Sequence, residues 1–242
     1  MNQKQTNSRD TTASRETTEQ KTFAERLGEY IASHRMLILG IAIGVAVVLA
    51  GVGIYSAVSE NAAAASSRAM ESVETKLEEW SKETDEAKKA DLEKALLTDI
   101  DALSRRWPRS IAAQRALLRK ASILSQKKEW ADAEKAALDA FGRNKSSYAA
   151  PVALALAAVA AEESGNIDAS IGHYETLTKD YIKDNPLAAN ALFNLGRLYE
   201  SKGDYAKAKT TYEKLVAEIG TSEWALLAKN RLIFLASAGL AK

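Results

Sequence analysis

Side chains able to perform covalent or metal chemistry are scarce in this sequence. The two histidines, His34 and His173, lie far apart, and cysteine is absent. Neither histidine has a second His or a Cys at ligand spacing, so no metal set of the usual kind is expected. No GxSxG elbow, P-loop or Rossmann glycine pattern occurs, and each of those chemistries needs its glycines at fixed places. The carboxylates are many but alternate with lysine, as in Glu86, Lys88, Lys89 and Asp91, which is the pattern of a solvated helix face. The residues therefore point away from an enzyme, a cofactor or a small-molecule substrate. A formal net charge of +1 gives no field that would gather nucleic acid. What is left is recognition. Asn190, Phe193, Asn194 and Arg197 fall within about two helical turns and combine amides, an aromatic face and a guanidinium; Arg115 and Arg119 add two more. That mixture suits peptide backbone and acidic side chains.

The elements that would hold these groups are helices. Alanine and leucine dominate the apolar content of the 242 residues, and only three prolines occur, so an all-α fold is expected. Residues 1–20 offer almost no apolar side chain and are expected to be disordered. In residues 21–35, Phe23, Leu27, Tyr30 and Ile31 recur at helical spacing among Lys21, Glu25, Arg26 and Glu29. This amphipathic juxtamembrane segment suits two placements, on the headgroups or as a solvated extension of the next helix. Residues 36–58 read MLILGIAIGVAVVLAGVGIYSAV without a charge. At about 1.5 Å per residue they span roughly 34 Å, enough to cross a hydrocarbon core. A cleaved signal peptide would carry a shorter apolar run nearer the N-terminus, although Ala62, Ala63 and Ala64 would suit cleavage. Gly40 and Gly44 form a GxxxG, and Gly51 falls within about 20° of the same face, a candidate contact with another transmembrane helix. Arg26, His34 and Arg35 precede the span, while Glu60 comes first after it and Arg68 is the nearest base. That asymmetry favours a cytoplasmic N-terminus and an exported C-terminal domain.

Residues 60–242 contain internal similarity. The clearest unit is LFNLGRLYESKGDYAKAKTTYEKLV, Leu192 to Val216. Leu192, Leu195, Gly196 and Tyr199 share one helical stripe before a turn at Lys202, Gly203 and Asp204, and Tyr205, Ala208, Tyr212 and Leu215 share another after it. Gly165-Asn166-Ile167, Ser170 and Tyr174 repeat this second pattern at an offset of 38, and Lys128-Glu129-Trp130 and Ala133 at a further 37. Gly196 and Ala208 are small where the paired helices cross, and Gly203 permits a tight turn. An earlier pair is expected from about Glu60 to Arg106, its first helix a continuation of the span. Glu223 to Leu240 reads as a capping helix, and Trp80, Trp107, Trp130 and Trp224 read as packing residues. In such a stack the first helix of each pair lines the groove. This leaves Phe193, Asn194 and Arg197 facing it, with Asn190 one turn earlier, and Arg115 and Arg119 on the equivalent surface of the Trp130 unit. The same side chains also suit an ordinary solvated face.

This pattern resembles the tetratricopeptide repeat: Leu195-Gly196 with Tyr199, then Gly203-Asp204-Tyr205, Ala208 and Tyr212 occupy its signature positions. The resemblance implies a tetratricopeptide-like α-solenoid, so with the span at residues 36–58 the expected all-α fold is one N-terminal transmembrane helix followed by that solenoid. The whole layout, including Phe23-Ala24-Glu25 in the amphipathic stretch, is similar to the YfgM-like ancillary subunits of the bacterial Sec translocon. That likeness implies a single-pass protein of the bacterial inner membrane with a periplasmic repeat domain. Its implied partners are translocon subunits, exported chains or chaperones, in handover of newly exported proteins. The last repeats also resemble those of outer-membrane assembly lipoproteins and cell-division coordinators, but the lipobox cysteine is missing.

Overall fold

The computed structural model describes residues 22–183 and 185–240, and every regular element among them is a helix. The expectation of disorder for residues 1–20 falls outside the described residues. The chain divides into two compact units, Met1–Val58 and Ser59–Lys242.

In the first unit, α1 (Phe23–Ser33) starts at Thr22, whose side chain and that of Glu25 form a reciprocal capping box. That box satisfies two of the N–H groups a helix start leaves open. No residue of α1 is buried, and Phe23, Leu27, Tyr30 and Ile31 are all exposed. After His34 the chain enters α2 (Arg35–Lys82), one unbroken helix of 48 residues. Its large apolar side chains from Met36 to Val58 are exposed apart from the half-buried Ile38, and its most apolar window has a mean hydropathy of 2.8. Among the described residues it is the one helix long and apolar enough to cross a membrane.

The second unit begins with the rest of α2, followed by α3 (Glu86–Arg106), α4 (Ile111–Gln126), α5 (Trp130–Arg143), α6 (Ala149–Glu163), α7 (Ile167–Asp180), α8 (Ala188–Ser201), α9 (Tyr205–Glu218) and α10 (Glu223–Ser237). These form four helical pairs and one further helix, and sequential helices from α3 onward pack on one another. The first pair uses the C-terminal part of α2 as its first helix. Met70, Val73 and Trp80 of α2 pack with Leu96, Ile100 and Leu103 of α3 and with Ala112, Ala113, Ala116 and Ile123 of α4. A larger core joins α6 to α10 through Leu154, Tyr174, Leu177, Leu192, Tyr212, Leu215 and Leu235.

Alanine fills the middle of the stack. α6 buries Ala149, Ala150, Ala153, Ala157, Ala158, Ala160 and Ala161. A helix wrapped by neighbours must be apolar nearly all round, and methyl side chains let α5 and α7 approach it closely. Three of the four tryptophans join the cores, Trp80 buried and Trp107 and Trp224 packed at the edges, while Trp130, also expected to pack, is half-buried at the start of α5.

Candidate protein-binding surface

The three turns aligned from sequence share one backbone geometry. Lys128, Gly165 and Gly203 sit at φ 62°, 82° and 75°, the left-handed region that closes a helix. In each, the next residue donates its N–H back across the turn: Glu129 to Leu124 O, Asn166 to Ala161 O and Asp204 to Tyr199 O, at 2.8–2.9 Å. That same residue starts the second helix. Asn166 accepts from Ala169 N and Asp204 from Lys207 N, so one residue ends one helix and caps the next. Glu129 makes no such side-chain cap, and Lys128 adopts a conformation that glycine would hold without steric cost.

Inside the best-matched pair the close approach is between a glycine and a ring. A Cβ on Gly196 would meet the Tyr212 ring at 2.4–2.8 Å, and both residues are buried. Ala208 is fully buried as well. The aromatic side chain of α9 thus requires a small residue at this point of α8. Burial pushes the phenol pKa values of Tyr174 and Tyr212 up, that of Tyr174 to about 12, because an anion there would lose its water.

The polar side chains singled out for the groove lie on the first helices and are engaged with one another. Arg115 and Arg119 on α4 both reach Glu74 of α2, at 3.2 Å and 3.0 Å. Arg197 on α8 forms a two-pronged pair with Glu162 of α6, each contact 2.7 Å. The Glu162 hydrogen bond raises its already high pKa. Asn194 donates to Asn190 O at 3.0 Å and accepts from Arg197 Nη2 at 3.2 Å. Phe193 is partly buried, its ring 5.8 Å from Tyr212 and 5.4 Å from Trp224. It belongs to the junction between α8 and α10 and offers only part of its face to a ligand. Gly40, Gly44 and Gly51 have nothing within 4 Å of a Cβ position and lie on the exposed part of α2 in the first unit. His173 uses Nε2 on Glu134 at 2.8 Å, a contact between α7 and α5.

A second feature emerges from counting back from each turn. Thirteen residues before Lys128, Gly165, Gly203 and Gly239 stand Arg115, Val152, Asn190 and Leu226; six before stand Ser122, Val159, Arg197 and Ile233. These are the outward positions of α4, α6, α8 and α10. Val152 and Val159 are 37 and 45% exposed, Leu226 and Ile233 62 and 68%. The rungs therefore alternate: polar on α4 and α8, apolar on α6 and α10. In the second unit every exposed large apolar side chain among the described residues lies on, or next to an end of, α4, α6 or α10. The second helices carry none. Between α3, α4 and α5 lies a cleft of about 470 Å³ whose lining includes the charged side chains of Asp101, Arg105, Lys120, Lys135 and Asp139. The apolar rungs were within reach of the sequence, since the offsets that align the turns also align Val152, Asn190 and Leu226.

α10 departs from the expected solubilising cap. Its inner residues Ala225, Ala228 and Leu235 are buried, but Leu226, Leu227 and Ile233 are exposed, as is Phe234 despite the Arg231 guanidinium 4.6 Å from its ring centroid.

Comparison with known proteins follows the same geometry. The tetratricopeptide repeat family model matches residues 155–223, from within α6 to the start of α10. A TPR repeat-containing protein of Treponema pallidum (strain Nichols) is 32% identical over 148 residues, 61% of this chain and 61% of its own. The chain thus spans about three-fifths of the length of that relative. The matched segment, the relative and the paired helices together support a tetratricopeptide-repeat protein, a class whose repeats serve in general as non-enzymatic scaffolds for binding other proteins.

Proposed function

We propose that this chain is a membrane-anchored protein-binding scaffold, accessory to the bacterial Sec translocon and to the handover of exported chains to periplasmic chaperones. The observation that carries the binding role is that, among the described residues of the second unit, the exposed large apolar side chains lie on or beside α4, α6 and α10, with Arg115, Asn190 and Arg197 on the polar rungs and Arg119 beside them. A segment of partner polypeptide laid across these helices meets apolar and hydrogen-bonding rungs in turn. The guanidiniums are half-exposed and paired on the surface, where an ion pair is worth about 0–1 kcal/mol, so a ligand carboxylate can replace Glu74 or Glu162 at small cost.

The anchor rests on residues 36–58, whose exposed apolar side chains would be expensive in water and are stable in hydrocarbon. The basic flank at Arg26 and Arg35 puts the N-terminus in the cytoplasm and the repeats in the periplasm. The translocon assignment rests on the resemblance in layout. Crosslinking of intact membranes followed by mass spectrometry tests it. A translocon channel subunit among the main adducts is the expected result; envelope-assembly or division factors in its place would overturn the assignment while leaving the scaffold role standing.

A further inference from the structure

The helix α10 carries an interface that nothing within the described chain fills. It ends as the first helices of the repeats end: Gly239 sits at φ 66°, Gly239 N donates to Ala236 O, and Leu240 N reaches back to Leu235 O. It is therefore a first helix with its turn formed and no second helix packed on it among the described residues. Leu227 and Phe234 align with Ala191 and Leu198 of α8, which are buried at 1% each, yet they are 43 and 47% exposed. Together with Leu226, Ile233 and Leu240 they present roughly 500 Å² of apolar surface, a size at which a patch is usually functional.

We propose that this face pairs with the same face of a second copy of the chain, the two α10 helices lying antiparallel about a two-fold axis. Three features of the molecule favour this occupant. Leu226, Leu227, Asn230, Ile233, Phe234 and Ser237 carry no charge along one face, with Glu223 at its N-terminal end, and Arg231 beside it pairs with Glu200 while its guanidinium lies 4.6 Å from the Phe234 ring centroid. The stripe is also self-complementary when reversed about Asn230: Leu226 meets Phe234 of the other copy and Leu227 meets Ile233, so every large side chain opposes another. Finally, head-to-tail stacking has no apolar acceptor, because neither α3 nor the part of α2 after Val58 exposes a large apolar side chain. Isologous contact closes on itself, and two such faces remove about 1,000 Å² from water, the least a specific association needs.

The chain contains no cysteine, so a single introduced thiol reports without background. Asn230→Cys, at an exposed position on the axis, is treated in membranes holding the full chain with a short bis-maleimide. The expected product is a covalent homodimer formed in several-fold greater yield than from Glu213→Cys, an exposed site on α9. Adding Leu226→Glu and Ile233→Glu, both on exposed positions and so compatible with folding, should return the yield to that of the α9 control. The proposal is overturned if Asn230→Cys gives no homodimer, if the yield ignores the two glutamates, or if the thiol joins a different protein instead.

Discussion

At the scale of single residues, the contact between Gly196 and Tyr212 makes the sharpest prediction. Alanine in place of a helical glycine ordinarily stabilises by about 0.5–1 kcal/mol. At Gly196 the added methyl would drive into the Tyr212 ring, and overpacking a filled core costs about 1–3 kcal/mol. Gly196→Ala should therefore lower the thermal midpoint, while Gly172→Ala, where nothing lies within 4 Å of the new Cβ, should raise it. Melting curves of the detergent-solubilised chain followed by circular dichroism decide, and midpoints moving in the same direction would rule out the tight crossing at Gly196. The tyrosines make a pH prediction. Burial raises the folded-state pKa of Tyr174 to about 12 from its ordinary 10.0, so folding favours the neutral phenol. Its contribution is complete below pH 10 and is lost as pH rises through 10 toward 12. Tyr174→Phe should flatten the fall of the midpoint over that window, and an unchanged slope would show that other groups govern alkaline unfolding.

At the scale of elements, the three repeat turns use the same left-handed residue with different chemistry. An L side chain in that conformation costs roughly 1–2 kcal/mol, which Lys128 bears and Gly165 and Gly203 avoid. Lys128→Gly should stabilise the α4–α5 hairpin and Gly203→Val should destabilise the α8–α9 hairpin by about that amount. Hydrogen exchange of the amides flanking each turn provides the readout: slower opening at the first and faster at the second. The first-helix surface makes a functional prediction. Val152→Asp with Val159→Asp changes two exposed side chains on α6, so folding should survive while the apolar rung is lost. Recovery of the crosslinked partner should then fall several-fold. Full recovery with an unchanged melt would move the binding surface elsewhere, to the charged cleft between α3 and α5 or to the exposed face of α2.

At the scale of the whole molecule, the proposed anchor predicts topology. Protease added to spheroplasts should degrade the part after Val58 and leave the first thirty-five residues protected. Protection of the repeats would reverse the orientation and remove the periplasmic reading. Alkaline carbonate should leave the chain in the membrane pellet, because a helix with this hydropathy is held by the hydrocarbon and not by charge.

Periodicity and turn residues alone placed the helical pairs. Leu192, Leu195 and Tyr199 read as a packed stripe and are buried, because apolar side chains at i, i+3 and i+7 share one helix face whatever lies opposite. Gly165 and Gly203 marked turns, since a left-handed residue needs no tertiary partner to select glycine; Lys128 shows the same turn surviving without it. Tertiary structure alone decided which surface side chains are engaged. Arg115, Arg119 and Arg197 looked free in sequence but pair with Glu74 and Glu162, residues more than thirty positions away on neighbouring first helices. Phe193 looked outward but is drawn toward Trp224, because α10 returns against α8. The same packing leaves the outer side of α10 uncovered. The spacing of apolar residues along a helix says that it has an apolar face, whereas only the arrangement of its neighbours determines whether that face is already filled.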